Sequence, residues 1–206
     1  MRRKIGIISM ILGAALILAA LSLFLWNRLE DRQASVSVEE ILPQVEAAIE
    51  EAAAKETENS GTGMYELSGS DSGDMTEAEI DGHNYIGYIS IPALGLELPV
   101  MSSWSYEQLR IAPCRYYGSI TTGDLVIAAH NYSRHFKNIQ RLTAGDEVFF
   151  TDMDGTVTIY TVAEVETLTP ESVEEMTNSD YALTLFTCTY GGQNRVTVRC
   201  NIMKEN

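Results

Sequence analysis

Basic residues are scarce in this chain. Fourteen Lys plus Arg stand against 29 Asp plus Glu in 206 residues, a formal net charge of −15. A surface this acidic repels phosphate backbones, and no basic stripe interrupts the field, which argues against nucleic acid as a partner. Cysteine is also rare, with three in all, an odd number that leaves at least one thiol outside any disulfide. Internal repeats are absent. Apolar residues are not lacking: a 45% hydrophobic content excludes a wholly disordered chain. The length suits one modest domain with extra segments.

The charge is unevenly spread. Residues 1–26 hold Arg2, Arg3 and Lys4 and no acid; residues 27–82 hold 15 acids against three bases; residues 83–206 hold 14 acids against eight bases. Ile5 to Trp26 is a run of 22 residues without a charge, and as a helix rising about 1.5 Å per residue it spans a hydrocarbon core of roughly 30 Å. The basic cluster ahead of it places the N-terminus in the cytoplasm and everything after Asn27 outside, a single-pass anchor at the cell membrane. A cleaved signal peptide is the competing reading, but the apolar run continues through Leu21, Leu23, Phe24 and Leu25, past the small pair Ala19-Ala20.

Residues 27–82 read as an acidic stalk. Ser37-Val38-Glu39-Glu40 has capping-box spacing and predicts a helix start ahead of an apolar stripe, Ile41, Leu42, Val45, Ala48, Ile49 and Ala52, with Pro43 in the first turn. Beyond Lys55 the chain turns rich in Gly, Ser and acids, as a flexible, self-repelling linker does. The expected role is a solvated spacer that lifts a domain off the membrane.

Residues 83–206 read as one mainly β domain. YIGYISI, LELPVM, DLVIAA, DEVFFT, TVTIYTV, YALTLFTC and RVTVRCNI are short runs of strand-forming residues punctuated by Gly, Pro, Asn and Asp. In the last run Val196, Val198, Cys200 and Ile202 face one side, and Thr197, Arg199 and Asn201 the other, as in a strand with one buried face. Asp154-Gly155 predicts a hairpin turn. Helices are expected at Ser105 to Ile111 and, shorter, at Arg134 to Leu142. Seven or eight strands in this span suggest a closed or nearly closed barrel with helical decorations.

Three residues carry the chemistry. Cys188 ends the apolar strand Thr184-Leu185-Phe186-Thr187-Cys188 and opens onto the polar turn Thr189 to Asn194, so its thiol is held on a rigid element yet reachable. A thiol needs an activating group, most often an imidazole. Of His83, His130 and His135, His130 mirrors the cysteine by following the apolar strand Leu125 to Ala129. Arg195 begins the next strand after the cysteine turn, and its fixed charge suits an oxyanion or a substrate carbonyl. Cys200 reads as a core residue. A disulfide between Cys114 and Cys200 is open, but two free thiols are expected.

Thr184 to Cys188 matches the T-L-x-T-C signature of the sortases, membrane-anchored cysteine transpeptidases, and the resemblance extends over most of residues 84–202. Tyr88 to Leu94 with Leu98-Pro99-Val100 is similar to the family's opening strands, Val126 to His130 to its histidine strand, and Arg195 to Val198 to its arginine strand. The resemblance implies an eight-stranded sortase β-barrel with short helices. It also implies catalytic Cys188, His130 and Arg195, with Thr187 and Asn131 as substrate-binding residues. Cys188 would attack an LPxTG-like sorting signal of a surface protein to form a thioacyl-enzyme, which an amino group of a peptidoglycan precursor would resolve. No metal or organic cofactor is required by that chemistry; Glu171, Glu174 and Glu175 could bind Ca²⁺, as in some members, but such a charge run is more often a solvated face.

Ala129 stands where many sortases have Gly, and Asn131 is reminiscent of class B. The stretch from Thr169 to Ala182 is too short for the long class B helix, which favours a compact class A-like or class D-like domain. The Asp-Pro-aromatic lid motif of pilin-polymerising members is lacking. Two other readings stay open: a hydrolytic extracellular cysteine peptidase or other wall transpeptidase, and a non-catalytic stalked β-domain.

Overall fold

The computed structural model describes residues 2–59 and 75–203. Helix α1 (Arg2–Asn59) is followed by nine strands: β1 (Ala78–Ile80), β2 (His83–Ile91), β3 (Leu96–Met101), β4 (Cys114–Tyr117), β5 (Leu125–Ala128), β6 (Glu147–Asp152), β7 (Val157–Leu168), β8 (Leu183–Cys188) and β9 (Arg195–Ile202). A short helix α2 (Val173–Thr177) lies between β7 and β8. The flexible-linker expectation falls outside the described residues over 60–74.

Eight strands close into a ring in the order β2-β3-β4-β5-β8-β9-β7-β6, with β6 paired back to β2; β1 pairs with the start of β2. The expected eight-stranded barrel is therefore present, and the sheet begins at Ala78, inside the segment read as stalk. Closure depends on Gly87. There the backbone has φ 135°, and a Cβ would sit 2.0 Å from the Thr151 carbonyl oxygen, so only glycine lets β2 approach β6. The Asp154-Gly155 turn joins β6 to β7 as the sequence predicts, with Gly155 at φ 80°.

Side chains alternate between two cores. Ile89, Leu98, Leu125, Ile127, Phe150, Leu185, Val198 and Cys200 fill the barrel. Val126, Ala128, Phe186 and Cys114 lie on the outer side of the strands, in a cluster that Met176 of α2 joins from the covering side. The expectation that β9 has one buried face is thus incomplete. Thr197 and Arg199 are buried as well, because α2 covers them. Arg199 fixes that cover: its Nε donates to Glu166 Oε1 (2.8 Å), Nη1 to Thr184 Oγ1 (3.1 Å) and Nη2 to the Glu175 carbonyl (2.7 Å).

Helix α1 departs most from expectation. It runs without a break through Trp26 and Ser37, so the capping-box residues sit mid-helix and Pro43 lies inside it. Nor is the second half a solvated spacer. Ala34, Val38, Ile41, Val45 and Ile49 are buried against the barrel at helical spacing, and that burial outweighs a local cap worth about 1 kcal/mol. The Asp31 carboxylate accepts from Ser133 N (2.6 Å) and Ser133 Oγ (2.8 Å), Glu39 pairs with Arg134, and Gln44 Nε2 donates to Asp81 (3.3 Å). The first half differs: the apolar window is not buried at all. Among the described residues α1 is the one helix long and apolar enough to cross a membrane.

The expected helices shrink to 3-10 turns, Gln108–Arg110 and Phe136–Arg141. The first is held short because Cys114 must return beside Met101 in a parallel pair, with Leu109 and Ala112 buried beneath the connection.

Candidate active site

Strands β5 and β8 are parallel neighbours, with Ala128 paired to Phe186. Pairing continues one step past the strand, where Ala129 N donates to the Phe186 carbonyl (3.1 Å). The same offset brings His130 level with Cys188. On the other side of β8, Cys188 pairs directly with Arg195 of β9. His130, Cys188 and Arg195 therefore form one row across the ends of three adjacent strands, whose neighbours in a sheet lie about 4.8 Å apart. The row is a consequence of strand length: each apolar run ends at the same level, and the next residue carries a functional group.

The three side chains have different surroundings. Cys188 is partly exposed and opens on a cleft of about 360 Å³ shared with Asn131, Lys137, Gln140, Thr189, Tyr190 and Val196. The Arg195 guanidinium folds onto the turn beside it, Nη1 donating to the carbonyls of Gly192 and Asn194, each at 3.2 Å. The His130 ring packs on Tyr132, centroids 4.8 Å apart. Burial, reinforced by the positive Arg110 nearby, holds its pKa below the ordinary imidazole range, against an opposing pull from Glu30. That shift favours the neutral imidazole. Among the described residues no hydrogen bond joins His130 to Cys188.

The other cysteines contrast with Cys188. All three are unbridged. Burial pushes Cys114 and Cys200 up to about 12, so neither supplies a thiolate. His135 is fully buried, and burial together with the neighbouring His130 lowers it to about 4. His83, at the start of β2, lies in the β1–β2 pairing away from this row.

Thr187 does not line the cleft. It is 1% exposed and its Oγ1 donates to the Ala129 carbonyl (2.8 Å), so it ties the cysteine strand to the histidine strand instead of meeting substrate. The reason is pleat: adjacent residues on β8 point to opposite faces, and Cys188 takes the outward one. Asn131 does line the cleft, and its Oδ1 is buried with no hydrogen-bond partner among the described residues. Glu171, Glu174 and Glu175 are exposed, and among the described residues no group of three or more His, Cys, Asp or Glu converges to hold a metal ion.

Lys137 and Gln140 in the cleft, and Glu30, Arg110 and Tyr132 around the imidazole, escape sequence reasoning. Glu30 and Arg110 come from segments distant from His130 in the chain, Tyr132, Lys137 and Gln140 from the loop that follows it, and no motif marks any of them.

A closed eight-stranded barrel with a cysteine, a histidine and an arginine at the ends of three neighbouring strands defines a class by arrangement as well as by residues. The Sortase domain family model matches residues 89–203, more than half of the chain. The chain belongs to the sortase family. It is 31% identical over 124 residues to sortase A of Bacillus anthracis, covering 57% of this chain and 59% of that relative's length. Among solved structures, sortase C1 of Streptococcus suis is 25% identical with a TM-score of 0.52, over 59% of this chain and 74% of that one. Sortase C1 of Streptococcus agalactiae (23% identity, TM-score 0.56, 82% and 98% covered) and sortase A of Corynebacterium diphtheriae (18%, 0.54, 87% and 94%) share the fold.

Proposed function

We propose that this protein is a membrane-anchored cysteine transpeptidase that attaches surface proteins to the cell wall. The observation that carries the reading is the row of His130, Cys188 and Arg195 at one level, with Cys188 open to a cleft while the other two thiols are buried. The Cys188 sulfur attacks the backbone carbonyl of an LPxTG-like sorting signal. A carbon–sulfur bond forms, the carbon–nitrogen bond breaks, and the thiol proton passes by way of His130 to the leaving amine. An amino group of a peptidoglycan precursor then attacks the thioester, and its proton returns through His130 to the sulfur.

A neutral imidazole suits the first transfer, because it can accept the proton that the thiol gives up. Arg195 supplies a fixed positive charge for the carbonyl oxygen once its contacts with the turn are exchanged for substrate. Asn131 offers an amide whose oxygen has no partner among the described residues, fit for the peptide backbone of the signal. This chemistry balances without a metal or organic cofactor. The apolar first half of α1 anchors the chain in the cell membrane, N-terminus inside and barrel outside.

Incubating the full chain with a library of LPxTG-like peptides and a labelled amine tests the reading. Peptide-to-amine transfer that is lost in Cys188→Ala supports it. Hydrolysis with no transfer, at any amine concentration, contradicts the transpeptidase assignment.

A further inference from the structure

The barrel has two ends, and α1 touches both. Leu168 of β7 pairs with Arg195, whereas Tyr160 pairs with Ile202, so the β6–β7 turn at Asp154-Gly155 lies at the end of the barrel opposite the candidate active site. Along α1, Asp31 holds Ser133 in the loop that follows His130, and Ile49 reaches Gly155 at 3.5 Å from its Cβ position. The helix thus runs along the wall from one end to the other, about 27 Å between Asp31 and Ile49 at 1.5 Å per residue. Its membrane-directed end is the end that meets the active site.

The connection to the apolar segment is short and continuous. Trp26 donates to Glu30 (3.1 Å) within one unbroken helix, and Asp31 stands about 7.5 Å along the axis beyond Trp26. Tilt of the helix can only reduce that height. Charge follows the same axis. Arg32, Arg110, Lys137 and Arg195 gather near the active-site end of this acidic protein, where Asp31 and Glu39 are held by Ser133 and Arg134 and Glu30 accepts from Trp26. The far end carries Asp81, Asp152 and Asp154. Beside Cys188, Tyr190 projects from the β8–β9 turn with its side chain fully exposed, the amphipathic type that settles at headgroup level.

We infer that the barrel rests with its active-site end against the bilayer surface, Tyr190 and Lys137 meeting anionic phospholipid headgroups, and its β6–β7 end pointing away. This rests on the membrane-anchor reading above and adds an orientation to it. Scissile bonds adjoining a membrane-embedded segment are then presented at the height of the thiol, and α1 is a clamp that holds the site down.

Spin labels placed one at a time by Leu18→Cys, Tyr190→Cys and Asp154→Cys test this. They are introduced into the full chain carrying Cys188→Ala, in vesicles of phosphatidylcholine and phosphatidylglycerol in equal parts, and depth is read from relaxation by lipid-bound and soluble nickel chelates. The expected result is Leu18 in hydrocarbon, position 190 at headgroup level, and position 154 higher by about 25 Å. Equal depths at 190 and 154, or 154 nearer the lipid, overturn the orientation. Leu18 in water overturns the anchor and the orientation together. None of these readouts depends on peptide transfer, so an orientation failure is distinguishable from a failure of the transpeptidase reading.

Discussion

The ends and the middles of strands β5, β8 and β9 are built from the same few residue types and do opposite things. In the middle, Ile127, Leu185, Val198 and Cys200 are fully buried, and the Cys200 thiol is pushed up to about 12. At the end, Cys188 is partly exposed, Arg195 bonds to a turn carbonyl three residues back, and Asn131 has an oxygen with no partner among the described residues. Two cysteines on adjacent strands therefore differ in chemistry because of where the barrel stops. Stability belongs to the middle and reactivity to the rim, with Thr187 as the hydrogen bond between them.

Substitutions can pull these two roles apart. The largest effect is expected from Cys188→Ala, which lowers transfer by roughly 10⁴-fold or more while leaving the urea midpoint within experimental scatter. A parallel loss of stability would show that the rim is structural after all. Leu185→Ala, three residues deeper on the same strand, has the reverse signature: about 3 kcal/mol of stability is lost and kcat per folded molecule is kept. Unfolding curves combined with active-site titration separate the two.

The buried imidazole sharpens the contrast through pH. His135 titrates near 6.5 when unfolded and near 4 when folded. As pH falls through that window the unfolded state takes up a proton that the folded state refuses, so stability declines by up to about 3 kcal/mol and stops declining below about 4. His135→Leu should flatten this part of the profile in urea titrations at stepped pH. Unchanged slopes would mean that His135 is not held neutral by the fold. The smallest effect belongs to Thr187→Val, which removes the bond to the Ala129 carbonyl and costs about 1 kcal/mol. Its transfer rate should drop without a change in KM, since the hydroxyl does not face the cleft. A KM effect alone would return Thr187 to the substrate side.

Much of this was legible in the sequence because it was local. Alternating apolar residues and the Asp154-Gly155 turn give strands, and the placement of Cys188, His130 and Arg195 at the ends of apolar runs marks the rim before any pairing is known. What stayed hidden depended on distant partners. Ile41, Val45 and Ile49 belong to a readable stripe, but nothing in it says that the stripe packs on this barrel, so a docked helix reads as a free spacer. Arg199 looks like a solvent-facing residue of an alternating strand, and only the arrival of α2 makes it a buried anchor. Thr187 sits beside the nucleophile in sequence and on the opposite face in space, a distinction that pleat geometry makes and adjacency conceals.

Transfer through this site requires the Cys188 sulfur to form a thioester with the sorting peptide. Intact-mass analysis of the full chain, mixed with a cleavable peptide and quenched in acid, tests it most directly. The expected result is an adduct equal to the peptide's acyl portion, mapped to Cys188 and discharged on adding an amine. An adduct on Cys114 or Cys200, or turnover with no covalent species under conditions that trap thioesters, would contradict it.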